Sequence, residues 1–503
     1  MPKSTKPAKT FATQQSLNSE IKAICDIMRR SNCAGAMQYV PELTWLLFLR
    51  ILDLREKNEA KTAQVLGNTF VPSLTSPYCW SDWANKNGSK RKKFVDGKLG
   101  AYFEFVNDKI IPYLKKLRDM PEATSRQKVI SEIVSCVERV RVDTEKNLLD
   151  ILDKIDLISD ENVDDTHIFT LSQIYEGLLL KMGEKGNDGG QFFTPCEVIR
   201  MVVKVINPKP GETVYDPCCG TGGFLVQAYN YMAEAAQKKS ASVIENLKYR
   251  TFYGREKENL IYPITLANMV LYGIENPAIW HGNTLTGNEI SGSLFSGGSS
   301  KYDVILTNPP FGGKEGKEAQ TNFAYKTGAT QVLFLQHVID SLKKGGRCGV
   351  VLDEGVLFRT NETAFVQTKQ KLLDDCNIYC IVSLPGGVFT AAGAGVKTNI
   401  LFFEKGSRTD EIWYYDLSDI KVGNRTPFTI DKFDDFFKRF SDKSKSDRSW
   451  MIKRKTIDAN GLDLKAVNPN RKVMEDTRTP EDIIALIESK QGEITHVLRE
   501  LKG

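Results

Sequence analysis

Two consecutive prolines at the end of a buried strand constrain the fold of this chain more than any other feature. Residues Tyr302–Thr307 predict a short buried strand, and Asn308-Pro309-Pro310-Phe311 follows it directly. Each proline lacks an N–H group and fixes its φ angle, so the sheet cannot continue and the chain must turn in one stiff shape. The strand is therefore predicted to end in a rigid loop that carries an amide and an aromatic ring.

A loop of this kind can hold a planar nitrogen base. The side-chain oxygen of Asn308 and a backbone carbonyl can both accept hydrogen bonds from one exocyclic amino group, and the ring of Phe311 can stack on the base. Two acceptors would draw the lone pair of the amino nitrogen out of the ring and toward a methyl donor. The same residues also fit an ordinary strand-ending loop with a core phenylalanine, because motif matches carry false positives.

A glycine cluster follows an earlier predicted strand. That strand ends at Asp216, and the cluster includes Gly220, Thr221, Gly222 and Gly223. Glycines at the carboxyl end of a parallel strand let the backbone approach a cofactor closely. The lysine of a P-loop is absent, and an acid at the strand end suits a cation such as the α-amino group of S-adenosylmethionine. A dinucleotide-binding turn or a plain tight turn is the alternative.

Two further strand ends carry polar residues. Glu256 lies just past a predicted strand at Thr251–Gly254, where nucleotide-binding α/β folds place an acid that accepts ribose hydroxyls. Glu258 competes with it for this role by sequence alone. Asn283 follows the strand Ala278–His281 and could hydrogen-bond an adenine edge. Both strand ends are therefore candidate cofactor contacts.

A segment before the first strand predicts a capped helix. Thr194 can serve as the N-cap, with Pro195 at the first helical position and Glu197 at the third, which is a capping-box pattern. On its own the pattern indicates a loop and a helix and nothing more.

The alternation of strands and helices predicts the fold class. Between residues 213 and 404 strands and helices follow one another in turn, which is typical of an α/β fold with a doubly wound, mostly parallel sheet. We predict a basic tail at residues 1–15, a helical N-terminal domain at 16–165, the sheet domain at 166–410, and a C-terminal extension at 411–503.

The last predicted helix has two interpretations. Residues Pro480–Leu501 carry apolar side chains at a/d-like spacing, namely Ile483, Ile487, Ile494, Leu498 and Leu501. Such a helix either packs on its own protein or docks on a partner.

Composition narrows the class of protein. The 503 residues carry a net charge of +5, which gives mild support for a polyanionic partner. Four histidines and ten cysteines without a C-x-x-C pair indicate no metal site. No apolar run approaches a membrane span and no secretory signal begins the chain, so we expect a cytoplasmic protein with reduced thiols.

The ordered motifs resemble those of N6-adenine DNA methyltransferases, and more narrowly those of the modification subunit of type I restriction-modification systems. The resemblance covers nearly the whole chain. It is carried by Tyr39–Leu52, Gly190–Pro195, Thr221–Gly223, Asn308–Lys314, Leu384–Phe389 and Gly395–Phe403.

The resemblance implies a Rossmann-like methyltransferase domain that uses S-adenosyl-L-methionine. It implies a flipped adenine that is held by the catalytic residues Asn308, Pro309, Pro310 and Phe311, because the amino group cannot be reached inside duplex DNA. The expected cofactor-binding residues are Gln191, Phe192, Phe193, Thr194, Pro195, Cys196, Asp216, Gly220, Thr221, Gly222, Gly223, Glu256 and Asn283. Asn283 stands where such enzymes often have aspartate.

The resemblance also implies partners. They are double-stranded DNA, a separate specificity subunit that binds two modification subunits, and a restriction subunit that can join them, in the cytoplasm of a bacterium or archaeon. Two rival functions stay open: methyl transfer to another planar amino group, in a protein glutamine or an RNA base, and a non-catalytic scaffold in a DNA complex. The intact loops at Asp216 and Asn308 argue against the scaffold.

Overall fold

The computed structural model describes residues 14–31, 33, 36–157, 194–237, 239–290, 294–295, 298–389, 397–423, 426–465, 467–470 and 479–502. Within these residues a nine-stranded sheet has the order β3-β2-β1-β4-β5-β7-β6-β8-β9. The strands are β1 Val214–Asp216, β2 Phe252–Glu256, β3 Ala278–His281, β4 Tyr302–Thr307, β5 Leu342–Asp353, β6 Cys376–Ser383, β7 Thr398–Lys405, β8 Glu411–Asp416 and β9 Ser449–Lys453.

Helices surround the sheet and form the N-terminal region. Those of the N-terminal region are α1 Gln14–Arg30, α2 Ala36–Val65, α3 Trp80–Trp83, α4 Ser89–Val95, α5 Ala101–Phe105, α6 Ile111–Lys116, α7 Ser125–Val134 and α8 Glu145–Asp156. Those that follow are α9 Cys196–Ile206, α10 Gly223–Ala236, α11 Ala241–Tyr249, α12 Tyr262–Tyr272, α13 Lys317–Thr321, α14 Thr330–Ser341, α15 Glu354–Phe358, α16 Thr363–Asp375, α17 Asp434–Phe440, α18 Arg454–Ala459 and α19 Pro480–Lys502. In the described ranges, none of the helices has both the length and the apolar character that crossing a membrane requires.

The predicted mostly parallel sheet is confirmed. Strand β1 pairs in parallel with β2 on one side and β4 on the other, and β7 runs antiparallel between β5 and β6. Side chains alternate between the two faces of β4: Val304 and Leu306 join one buried cluster and Ile305 joins the other. Both faces are therefore covered, which explains why the strand reads as a continuous apolar run.

The sheet continues beyond the predicted domain boundary at residue 410. Strand β8 pairs in parallel with β6, and β9 pairs antiparallel with β8. Trp413 and Tyr415 of β8 are fully buried. The boundary at 410 would therefore cut the sheet, and the sheet domain reaches at least to Lys453. The segment between β8 and β9 is rich in charged residues, so the two strands are difficult to recognise from the sequence.

An ion-pair network joins the N-terminal helices to the sheet domain. Glu275, which follows α12, accepts hydrogen bonds from Arg55 of α2 at 2.7 Å and from Arg126 of α7 at 2.7 Å. Arg126 also pairs with Glu59 at 2.8 Å, and Arg55 donates to the carbonyl of Val270 in α12. Glu275 is buried, so removal of either arginine would leave this buried side chain incompletely paired. The network therefore holds α2 and α7 of the N-terminal helical region against α12 and the residues that follow it.

Candidate active site

Two adjoining cavities open at the carboxyl ends of β1, β2, β3 and β4. The larger has a volume of about 240 Å³, and the smaller of about 50 Å³. Residues of four predicted motifs line the larger cavity, among them Pro217, Cys218, Gly220, Glu256, Asn283, Asn308 and Pro310. The smaller is lined by Thr194, Asp216, Gly220, Thr221, Gly223 and Asn308, among others. Parallel strands bring their carboxyl ends to one edge of the sheet, which explains why these distant residues meet.

Asp216 lies at the end of β1 and is almost completely buried. Its Oδ1 atom accepts a hydrogen bond from the hydroxyl of Thr307 at 2.7 Å and from the N–H of Cys218 at 3.2 Å. Burial raises the pKa of Asp216 to about 7, and these hydrogen bonds offset only part of that effect. The carboxyl group therefore links the end of β1 to the end of β4. Because it is buried, a nearby charge would change its pKa strongly.

The glycine loop after Asp216 lies close to two helices. Gly222 has a φ angle of +85°, a left-handed conformation that disfavours other residues. A Cβ atom on Gly223 would approach the Cδ1 atom of Ile199 in α9 to 2.9 Å. These two glycines let α10 begin directly beneath the smaller cavity.

Two residues of α12 hold this loop, and no sequence pattern predicted either of them. The hydroxyl of Thr265 donates to the carbonyl of Gly220, and the amide of Asn268 donates to the carbonyl of Thr221 at 3.0 Å. Both side chains are buried. Polar residues within an otherwise apolar helix carry no sequence pattern for such a contact, and only the tertiary structure shows that they face a loop.

Glu256 lines the larger cavity at the end of β2. Its carboxylate accepts hydrogen bonds from the N–H groups of Gly220 at 3.0 Å and Glu258 at 2.8 Å. Burial raises the pKa of Glu256 to about 7, because these bonds offset only part of the desolvation and the charge of Glu258 adds to it. The side chain of Glu258 is 41% exposed and lies outside the cavity lining. The geometry therefore favours Glu256 over its competitor.

Asn283 contributes a side-chain amide to the larger cavity. Its Oδ1 atom accepts from the N–H of Leu285 at 2.9 Å. Its backbone carbonyl accepts from Arg255 at 3.2 Å. The amide nitrogen of Asn283 can donate to a ligand, and its oxygen, which already accepts from the local turn, has one further lone pair.

Asn308 lines both cavities, and its side chain contacts Thr194. The Nδ2 atom of Asn308 donates to the hydroxyl of Thr194 at 3.0 Å. The predicted cap is wrong: Pro195 occupies the N-cap position of α9 without a side-chain cap, and the helix begins at Cys196. The hydroxyl of Thr194 serves Asn308 instead of the helix, and it directs the carboxamide oxygen of Asn308 to the opposite side.

The carbonyl of Pro309 and the ring of Phe311 are also held. Gln331 of α14 donates its amide to the carbonyl of Pro309 at 3.2 Å. Phe311 is buried, and its ring meets that of Phe389 edge to face at a centroid distance of 5.6 Å. Gln331 was not predicted as a site residue, because a glutamine at the start of an apolar helix gives no sequence signal of a contact with a distant loop.

The structure thus brings together most of the predicted site residues. Thr221 is buried in the glycine loop, and Cys196 begins α9. Gln191, Phe192 and Phe193 lie outside the described residues. Chemically, the site pairs two buried carboxyl groups beside a glycine loop with an amide and a carbonyl at the end of β4. The first pair can receive a cation and hydroxyl groups, and the second can accept from an amino group.

Comparisons with known proteins agree along the whole chain. Residues 166–478 match the family described as N-6 DNA Methylase, and residues 17–155 match the HsdM N-terminal domain. The methylase subunit of the type I restriction enzyme EcoEI from Escherichia coli is 33% identical over 97% of this chain and 98% of its own length. The EcoKI methylase subunit from Escherichia coli K12 is 29% identical over 84% of this chain and 75% of its own length.

Solved structures give the same result. A chain from a study of complex assembly and conformational transition of the type I R-M system is 36% identical, with a TM-score of 0.69 over 97% of this chain and 98% of that chain. A type I modification subunit from Vibrio vulnificus YJ016 is 31% identical, with a TM-score of 0.78 over 93% of this chain and 99% of that chain.

Proposed function

The chain belongs to the N-6 DNA methylase family of type I restriction-modification methylase subunits and is an adenine-specific DNA methyltransferase, and from this premise we propose that it methylates a flipped adenine held by the Asn308 loop. The observation that carries the proposal is the position of Asn308, which lines both cavities. A group held by Asn308 would face a ligand held by Asp216 and Glu256. Flipping is required because duplex stacking hides the adenine amino group.

The residues of the two cavities fit S-adenosyl-L-methionine, which when bound supplies an activated methyl group on a sulfonium. Asp216 would accept from the α-amino group, and Glu256 would accept from the ribose hydroxyls. Two buried carboxyl groups with raised pKa values suit a cationic ligand, because a nearby positive charge favours their ionised forms. Asn283 would donate its Nδ2–H to a ring nitrogen of the adenine, unlike the acceptor aspartate common in such enzymes.

The Asn308 loop would contribute to the reaction by orienting the adenine amino group. The carboxamide oxygen of Asn308 and the carbonyl of Pro309 would accept the two hydrogens of the adenine amino group and stabilise the positive charge that develops on its nitrogen. The ring of Phe311, which packs nearly perpendicular to that of Phe389, would stack on the base. No covalent nucleophile is needed, since attack by the amino group is direct.

We also propose the partners of the family for this chain. They are double-stranded DNA, a specificity subunit that chooses the base to flip, and a restriction subunit, with two copies of this chain per specificity subunit. The proposal draws on the type I R-M assembly named for the 36% identical relative. The exposed apolar positions of α19 support this helix as the docking element.

Transfer of a labelled methyl group tests the function. The chain, co-produced with its specificity subunit, should label DNA from a host that lacks this modification, and hydrolysis should yield N6-methyladenine. Asn308→Ala should lower the transfer rate at least about a hundredfold, as expected when an oriented acceptor is lost. Asn460→Ala, at an exposed position, is the matched control and should keep the wild-type rate.

Three results would overturn the proposal. They are undiminished transfer by Asn308→Ala, label that appears in protein glutamine or RNA in place of DNA, and the absence of transfer by the wild-type complex at saturating cofactor.

A further inference from the structure

A buried glutamine lies directly behind the Asn308 loop. Gln331 is 3% exposed and uses both ends of its amide. Its Nε2 atom donates to the carbonyl of Pro309 at 3.2 Å, and its Oε1 atom accepts from the N–H of Asp353, the last residue of β5, at 3.1 Å. The adjacent residue of α14, Thr330, lines the larger cavity. Gln331 therefore bridges the loop after β4 to the end of the neighbouring strand.

The covalent structure of the loop leaves one torsion for this bridge to set. The φ angles of Pro309 and Pro310 are fixed by their rings, and the peptide between them has no N–H. Because Pro310 follows it, Pro309 is also restricted to extended ψ values, over a range of about 40°. The direction of the Pro309 carbonyl is settled within that range by whatever bonds to its oxygen. In the described structure Gln331 makes that bond.

We infer that Gln331 is a positioning residue for methyl transfer: it aims the Pro309 carbonyl at the amino group of the target base. The inference rests on the proposed function, in which this carbonyl accepts from the adenine. A carbonyl oxygen has two lone pairs, so a bond from Gln331 leaves capacity for a second donor. Gln331 is not among the residues that line the two cavities, so it would act through Pro309 and not by contact with the base or the cofactor. A displacement of about 1 Å at a reacting group can lower a rate about a hundredfold.

Two substitutions separate positioning from simple filling of space. Gln331→Met keeps the length of the side chain but can neither donate to Pro309 nor accept from Asp353. Gln331→Glu keeps an acceptor for Asp353, and its second oxygen can donate to Pro309 only when it is protonated. A carboxyl group in this buried position would have a raised pKa. Protonation of the variant can therefore be followed between about pH 6 and pH 8.5.

The measurement is the single-turnover rate of methyl transfer by the full complex at saturating S-adenosylmethionine, relative to wild type at each pH. We expect Gln331→Met to be slower by roughly ten- to a hundredfold at every pH. Gln331→Glu should be equally slow at pH 8.5 and should recover at least about fivefold relative to wild type at pH 6. The Kd for S-adenosylmethionine should stay within about twofold of wild type in both variants, since no contact to the cofactor changes.

Gln336 provides the matched control. It lies on the same helix, is 2% exposed, and bonds both amide atoms to the backbone of Tyr325, at 3.0 and 2.9 Å. Gln336→Met removes a buried two-bond glutamine whose bonds go to Tyr325 and not to Pro309. It should lower the melting temperature about as much as Gln331→Met does, and it should leave the transfer rate within about twofold of wild type.

Several outcomes would overturn the inference. They are a wild-type rate in Gln331→Met, a Gln331→Glu rate that keeps a constant ratio to wild type across the pH range, and a loss of cofactor affinity parallel to the loss of rate. If Asn308→Ala is inactive while both Gln331 variants match wild type, only this inference fails. If the wild-type complex transfers no methyl group to DNA, the proposed function fails with it.

Discussion

Thr194 and Asn308 are 114 residues apart in the chain, and a hydrogen bond of 3.0 Å joins their side chains. An amide can rotate by 180° and exchange its oxygen for its nitrogen with almost no change of shape. Only the oxygen of Asn308 can accept from an adenine amino group. In the structure the hydroxyl of Thr194 accepts from the amide nitrogen, so the oxygen of Asn308 lies on the opposite side, in the orientation that the proposed reaction needs.

Substitution of Thr194 tests what this hydrogen bond contributes to holding Asn308. Thr194→Val removes the hydroxyl and should lower the methyl-transfer rate about tenfold, which is the value of one hydrogen bond of about 1.4 kcal/mol. Thr194→Ser keeps the hydroxyl and should retain most of the rate. Single-turnover kinetics and a cofactor titration check both variants. Equal rates for valine and serine would contradict the prediction, and a lower cofactor affinity with an unchanged rate would assign Thr194 to the cofactor alone.

The buried carboxyl group of Asp216 makes cofactor binding depend on pH. Its pKa is raised to about 7 in the free protein because it is desolvated. A cationic ligand favours the ionised form, so binding releases a proton when the pH is below about 7. We expect the affinity for S-adenosylmethionine to rise between pH 6 and pH 8, by up to about tenfold per pH unit below the pKa for each such group.

Calorimetry in buffers of different ionisation enthalpy would measure the released protons. Asp216→Asn should weaken binding and reduce the number of protons released, and Glu256 should supply the remainder. The stability of the free protein should change in the opposite direction. The pKa of Asp216 is higher in the folded than in the unfolded chain, so its contribution to the free energy of unfolding falls as the pH rises from about 4 to about 7. A pH-independent affinity would refute the prediction.

The sequence alone was sufficient to predict the strands of the sheet that form the site. Strands β1 to β4 are short apolar runs with clear endings, and each ending carries one motif. The parallel pairing of such strands follows from the helices between them. It was therefore predictable that Asp216, Glu256, Asn283 and Asn308 would lie at one edge, and the structure places them there.

The contacts behind that edge were not predictable. Thr265, Asn268 and Gln331 belong to apolar helices, and their polar groups gain meaning only from the loops that pack against them. At Thr194 a strong local pattern predicted a helix cap, whereas the structure shows that the side chain bonds to Asn308, which is distant in the sequence. Strands β8 and β9 were missed because charged loops surround them, although Trp413 is fully buried. Local patterns specify elements, whereas tertiary contacts decide the use of each polar side chain.

In the C-terminal helix α19, every residue whose burial the structure describes is exposed. Thr479 and Asp482 cap it reciprocally, with bonds of 2.9 and 3.2 Å. Its described apolar positions are exposed, with Ile483 at 39%, Ile487 at 59% and Ile494 at 59%. Packing of α19 on its own chain would bury these positions. Their exposure therefore favours the second interpretation of the sequence pattern, a helix that docks on a partner.

We predict that charges on the apolar face of α19 abolish assembly with the specificity subunit. Ile483→Glu combined with Ile487→Glu places two carboxylates where burial is needed, and their desolvation should prevent docking. Ala485→Glu combined with Ser489→Glu adds the same charge at the same spacing on the opposite face, and it should leave assembly intact. Co-purification and light scattering of the co-produced subunits measure assembly, and the cofactor Kd of the isolated chain should be the same in both variants. Normal assembly by the double isoleucine variant would show that α19 is not the docking helix. Equal failure of both double variants would show that the added charge disturbs the complex on either face of the helix.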